Sequence, residues 1–221
     1  MKNIILIAPP AAGKGTLASL LKAKYNYAHI SVGDLLRDEV KKGGELGQKI
    51  HQIMLAGKLV SNDIVSEALV SRLSEPDCKN GYILDGYPRS LEQAIEYEEV
   101  LKKLNQDLGL VIVLDIDKEI LINRTTGRRM CKECGTIYNI YSTDLKPKKE
   151  DSCDKCEGEL YQRADDNIES FEKRYQTFLT QTTPVIDYYD NKGVLYHVDS
   201  TEKEIALAGL EKILFSEDNI D

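Results

Sequence analysis

Lys14 stands in the run Ala8-Pro9-Pro10-Ala11-Ala12-Gly13-Lys14-Gly15-Thr16, directly behind the apolar stretch Ile4-Ile5-Leu6-Ile7. A strand that enters a loop of small residues, then a lysine, then a helix has the layout of a phosphate cradle. Backbone N–H groups and the positive helix end face the anion, and the ammonium reaches its outer oxygens. Small residues are needed because a longer side chain would hold the backbone away from the phosphate. The strict motif opens with glycine and has Ser or Thr after the lysine; here Ala8 and Gly15 hold those places. Taken alone, the run also suits a tight strand–helix turn that binds nothing.

A second group of residues points to metal. Cys131-Lys132-Glu133-Cys134 and Cys153-Asp154-Lys155-Cys156 are two C-x-x-C pairs, and the fifth cysteine, Cys78, stands apart. Four thiolates from two tight knuckles suit a tetrahedral Zn²⁺ ion with no open position, which gives the metal a structural role. Gly135 and Gly158 follow the pairs and ease the turns. A disulfide framework belongs to small secreted chains, and a redox pair belongs in a thioredoxin-like setting that is missing here. His29, His51 and His197 have no ligand spacing.

These groups need a scaffold. The 221 residues, 30% charged and 42% hydrophobic, suit one soluble core with inserts. The short Ile-rich stretch 3–8 reads as a buried strand rather than a signal segment, because Pro9-Pro10 ends it. Further strands are expected ending near residue 31 and over 82–85, 110–115 and 194–198. Helices are expected over 14–24, 33–42, 46–56, 62–74 (Ser61 as N-cap), 91–104 (a Ser90/Gln93 capping box), 118–126, from 168 onward with Pro184 interrupting, and from a Thr201/Glu204 capping box to about 215. The acidic tail 216–221 reads as frayed. Alternating strands and helices imply an α/β fold with about five parallel strands flanked by helices. Residues 31–60 and 127–166 look like excursions from it. No apolar run is long enough to span a bilayer, and the net charge of −8 argues against general affinity for nucleic acid or anionic membrane.

Beyond the loop, three segments complete a pattern. They are Ser31-Val32-Gly33-Asp34-Leu35-Leu36-Arg37; Asp85-Gly86-Tyr87-Pro88-Arg89 with Gln93 behind it; and Arg124, Gly127-Arg128-Arg129 and Gln162-Arg163-Ala164-Asp165-Asp166 followed by Arg174. With Pro10, Gly13, Lys14, Gly15 and Thr16 they resemble the adenylate kinase family, in its long-lid, zinc-binding type, over nearly the whole chain. The resemblance implies a P-loop NTPase-like core (1–30, 61–126 and 167–221), an insert for the nucleoside monophosphate (31–60) and a zinc-bearing lid (127–166). It implies Mg²⁺-dependent transfer of a phosphoryl group between ATP and AMP to give two ADP, in a cytoplasmic monomer.

The same resemblance distributes roles. Lys14, Arg89, Arg128, Arg163 and Arg174 would serve the transfer itself, since phosphoryl transfer depends on positioning and charge neutralisation. ATP would meet Ala11, Ala12, Gly13, Lys14, Gly15, Thr16, Arg124, Arg128, Ile137, Tyr138 and Glu202. AMP would meet Val32, Arg37, Lys58, Leu59, Val60, Gly86, Tyr87, Arg89, Gln93, Arg163 and Arg174. Asp85 would orient Mg²⁺ through water. Asp165 and Asp166 would orient arginines rather than act as bases. Three departures stand out: Ala8 and Ala11 replace loop glycines, Val32 replaces a threonine, and Glu202 replaces a common lysine. A UMP/CMP kinase on the same scaffold and a zinc-ribbon nucleic-acid-binding protein are the competing readings; Gln93 favours adenine, and the acidic balance disfavours the second.

Overall fold

The computed structural model describes residues 2–216. The expected frayed tail lies, from residue 217 on, outside them. The chain runs β1 (Ile4–Ile7), α1 (Lys14–Tyr25), β2 (Ala28–Ser31), α2 (Val32–Lys42), α3 (Gly44–Leu55), α4 (Asn62–Leu73), β3 (Tyr82–Asp85), α5 (Leu91–Leu104), β4 (Leu110–Asp115) and α6 (Lys118–Gly127). Then follow β5 (Arg128–Cys131), β6 (Ile137–Asn139), β7 (Leu160–Tyr161), α7 (Ile168–Thr177), α8 (Thr183–Asp190), β8 (Leu195–Asp199) and α9 (Lys203–Leu214).

Five strands form a parallel sheet in the order β2-β3-β1-β4-β8. Residue alternation along each strand divides the core in two. Ile5, Ile7, Leu84, Val111 and Val113 pack on one face with Leu69, Tyr97 and Tyr189 from α4, α5 and α8. Ile4, Leu6, Ile83, Ile112 and Leu114 pack on the other with Leu21, Leu121, Phe171 and Leu210 from α1, α6, α7 and α9. Both faces being covered explains why these strands read as continuous apolar runs.

The carboxyl ends of the strands deliver the functional segments: the small-residue loop after β1, Ser31 at the end of β2, Asp85 at the end of β3, and Ser200 after β8. Ligands of open α/β sheets bind outside those ends.

Residues 128–161 build a separate small sheet, β6-β5-β7, antiparallel throughout. Its buried cluster is only Cys131, Tyr138, Cys153 and Leu160. These strands have two to four residues each, too short for a sequence periodicity to reveal.

Local expectations are met unevenly. Ser31 caps α2 through Asp34 N–H, an N-cap the sequence reading missed. Ser90 accepts from Gln93 N–H as expected, but the Gln93 amide does not close the box. It reaches Arg89 N–H instead. Ser61 precedes α4 without a side-chain cap. The Thr201/Glu204 box does not form: Glu202 takes the cap position of α9. Thr201 turns its N–H and hydroxyl to the Asp199 carboxylate, a nearer and charged acceptor. Pro184 does not stop the long helix. It has no N–H for a carbonyl four residues back, so residues Phe178–Thr182 widen into a π turn, with Thr183 N–H on Phe178 C=O, and α8 continues.

Candidate active site

The loop after β1 reaches α1 through Gly13, whose φ of 97° is left-handed and which offers no side-chain cap. The first turn of α1 is therefore not capped by a side chain. Ala11 also takes a left-handed φ of 63°, at a place where glycine would be unstrained. Lys14 Nζ folds over the loop and donates to Ala8 O and Pro9 O at 3.0 Å each.

Around this loop lies one cleft of about 780 Å³. Every nucleotide-site residue expected from the sequence lines it, from Ala11 and Val32 to Arg174 and Glu202. Lys14, Arg37, Arg89, Arg128, Arg163 and Arg174 thus converge from the start of α1, α2, the β3–α5 turn, β5, the segment after β7, and α7.

Their electrostatics confirm the crowding. Burial pushes the Lys14 ammonium down to about 8; Asp85 opposes this, and Arg89, Arg174 and Arg128 add to it. Burial likewise lowers Arg89, with Arg174 and Arg37 contributing. Arg163 is lowered by burial and then by Arg37 and Arg128. Arg174 is lowered by burial, with Asp165 opposing. Nε of Arg163 and both Nε and one Nη of Arg174 are buried without a hydrogen-bond partner among the described residues. Such unpaired donors are costly, and an anion with several acceptor oxygens would satisfy them.

The carboxylates hold these arginines in place. Asp166, fully buried at its side chain, grips Arg128 bidentately, with Nε–Oδ2 at 2.8 Å. Burial disfavours the Arg128 charge, but Asp166 raises it above its ordinary value. Asp165 holds Arg174 at 2.6 Å. Asp34, inside the Ser31–Arg37 segment, accepts from Arg37 Nε at 3.0 Å and stands 3.9 Å from Arg163, a contact that no local pattern marks. Arg89 Nε donates to Gly86 O at 2.6 Å. A Cβ on Gly86 would come within 2.7 Å of the Arg89 guanidinium, so that approach requires glycine. Arg124 ties Ala12 O to Thr201 O, and Ser200 also donates to Ala12 O; of these two loop anchors, Ser200 has no local sequence signal. His29 Nε2 lies 3.6 Å from Asp85.

The lid is fastened at its root. Asn139 Nδ2 donates to Arg124 O and Asn123 O, and Gln162 Nε2 to Thr126 O and Asp166 O. Three of these bonds go to carbonyls in the second half of α6, and with the fourth Gln162 ties the lid's two ends together. The four sulfurs of Cys131, Cys134, Cys153 and Cys156 lie within 4.8 Å of one another. Cys131–Cys156 and Cys134–Cys153 are 3.4 and 3.6 Å apart, and the cysteines are free. Thiolates at zinc bonding distance in a tetrahedron would be about 3.8 Å apart. Cys134 N–H points at Cys131 Sγ, and Lys155 N–H at Cys153 Sγ. The donor set fits a tetrahedral metal ion. Tyr138 sends its hydroxyl to Cys153 Sγ, so its polar end serves the lid core even as the residue lines the cleft.

A strand–loop–helix phosphate cradle at a parallel sheet, facing convergent arginines, defines a phosphotransferase of the P-loop type. The family model described as adenylate kinase matches residues 6–194. An adenylate kinase of Archaeoglobus fulgidus is 46% identical over 217 residues, covering 96% of this chain and 99% of that protein. Those of Thermotoga maritima and Clostridioides difficile are 46% and 45% identical, over 91% and 87% of this chain and 91% and 88% of their own lengths. The chain belongs to the adenylate kinase family, and so to the nucleoside monophosphate kinases. No helix among the described residues is long and apolar enough to cross a membrane.

Proposed function

We propose that the cleft transfers a phosphoryl group between ATP and AMP, reversibly giving two ADP, with the donor over the loop after β1 and the acceptor between α2 and the β3–α5 turn. The observation that carries this reading is the convergence of six cations on one cleft, with buried guanidinium N–H groups left unpaired. Two polyanions repel each other, and cations brought in from several elements offset that repulsion.

In this reading, Lys14 leaves the Ala8 and Pro9 carbonyls for the outer phosphates of ATP. N–H groups of residues 11–16 hold the same phosphates, and Arg124, Ile137, Tyr138 and Glu202 border the donor base. Arg37 and Arg89 hold the acceptor phosphate; Val32, Lys58, Leu59, Val60, Gly86 and Tyr87 enclose the acceptor, and Gln93 reads its base. Arg128, Arg163 and Arg174 surround the group in flight, aimed by Asp166, Asp34 and Asp165. Asp85 would hold Mg²⁺ through its waters, and the ion would supply neutralising charge to the phosphates.

Residues 31–60 form the acceptor insert and 127–166 the lid; 1–30, 61–126 and 167–221 form the core. The four cysteines hold Zn²⁺, which supplies the cohesion that a four-residue cluster lacks. Lid closure excludes water from the transfer. We place the protein in the cytoplasm as a monomer, with no nucleic-acid or membrane partner.

The test is ADP formation from ATP and AMP with Mg²⁺, run beside a panel of nucleoside monophosphates and a metal determination. One zinc per chain and a preference for AMP are expected. A preference for UMP or CMP, or no transfer, contradicts the reading.

A further inference from the structure

Gln93 is 3% exposed, and its carboxamide is pinned at both ends. Arg89 N–H donates to Oε1 at 2.8 Å, and Nε2 donates to Asn62 Oδ1 at 3.1 Å. A backbone N–H can only donate, so the first bond fixes which end of the amide is oxygen. The second bond then requires an acceptor at residue 62. Asn62 opens α4 and is not part of the cleft wall, whereas Gln93 is.

The pinned amide keeps one lone pair on Oε1 and one N–H on Nε2. Side by side they match adenine, which presents an N6 donor beside an N1 acceptor. Hypoxanthine and guanine present the reverse, an O6 acceptor beside an N1–H donor. Reading them requires the amide to turn over, which sets Nε2 against Arg89 N–H, donor against donor.

We infer that Asn62 is a positioning residue for acceptor-base selection: from behind the cleft it holds the Gln93 amide in the orientation that takes a 6-amino purine and refuses a 6-oxo one. The inference rests on the reading that Gln93 faces the acceptor base. Asn62 can itself turn over and offer Nδ2, so it holds Gln93 less strictly than an aspartate, which only accepts.

The experiment compares Asn62→Leu, Asn62→Asp and Gln93→Leu with the parent, using AMP and IMP as acceptors at saturating ATP, with melting curves for each. One hydrogen bond sets the scale, about tenfold. Asn62→Leu is expected to lower the AMP:IMP ratio of kcat/KM about tenfold, mainly through KM for AMP, with KM for ATP unchanged. Asn62→Asp is expected to keep or raise that ratio. A parental ratio in Asn62→Leu overturns the inference, as does an equal loss in both variants, which would mark a structural role only. Gln93→Leu separates the two levels: unchanged KM for AMP there removes the underlying reading of Gln93, whereas a raised KM for AMP there beside an unaltered Asn62→Leu removes only the role of Asn62.

Discussion

The five-stranded sheet is buried on both faces by clusters drawn from many helices, whereas the three-stranded lid sheet has Cys131, Tyr138, Cys153 and Leu160. Both place cations in the cleft: Lys14 and Arg89 stand at the carboxyl edge of the first, Arg128 in the second. Apolar burial fixes the large sheet, and its loops hold Lys14 and Arg89 on backbone carbonyls. The lid holds Arg128 through its ion pair with the buried Asp166. A region held by apolar burial and one held by polar contacts thus share a single cleft.

Metal removal breaks this contrast most deeply. Structural zinc can contribute about 10–16 kcal/mol to folding a small unit. A chelator, or Cys153→Ser, should strip hydrogen-exchange protection from residues 128–161 while amides of β1 and β4 keep theirs. Cys153→Ser should also lower the melting temperature more than the initial rate. Uniform loss of protection would mean that the two sheets are one unit.

Next in size are the cations. Lys14→Ala should cut kcat/KM on the order of 10³-fold with a melting temperature within a few degrees. Arg128→Ala should cost similar activity and also loosen the lid, because Asp166 is left as a buried, unpaired carboxylate. Limited proteolysis within 127–166 separates the two, and equal cleavage of both variants would refute the difference.

Core truncations sharpen the comparison further. Leu84→Ala, at a fully buried site between helices and sheet, should lower global stability by about 3 kcal/mol. Leu160→Ala should leave the global denaturation midpoint in place and only open the lid.

A smaller effect concerns pH. Lys14 titrates near 10.5 when unfolded and about 8 in the folded cleft. Between those values the folded state binds fewer protons, so this group makes stability rise with pH across that window. Phosphate favours the charged form, so nucleotide binding takes up a proton and weakens as pH rises beyond about 8. Calorimetry in buffers of different ionisation enthalpy would show that uptake in the parent and its loss in Lys14→Ala.

The smallest expected change is in the loop. Ala11 holds a left-handed φ of 63°, which costs an alanine about 1 kcal/mol relative to glycine. Ala11→Gly should raise the denaturation midpoint accordingly; an unchanged midpoint would place the strain elsewhere.

The sequence made the site largely legible because its signals are local: Lys14 among small residues, Arg89 two residues behind Tyr87, and paired cysteines. The sheet was legible because strands buried on both faces are unbroken apolar runs. What stayed hidden depends on tertiary geometry. The lid strands are defined by pairing, not by pattern. Asn139, Ser200, Asn62 and Asp34 act through bonds to residues distant in sequence or through an arginine's orientation. At Thr201 a capping box lost to Asp199, and at Pro184 a helix kept going by widening one turn, outcomes that depend on competing partners which motif spacing does not rank.

The central claim is that cations of the fixed sheet and of the lid enclose two nucleotides at once. It is tested most directly by titrating a single ligand with two adenosines joined by a chain of phosphates. The account predicts one ligand per chain, displacing both ATP and AMP, with affinity falling in both Lys14→Ala and Arg128→Ala. Two ligands per chain, or displacement of only one nucleotide, would contradict it.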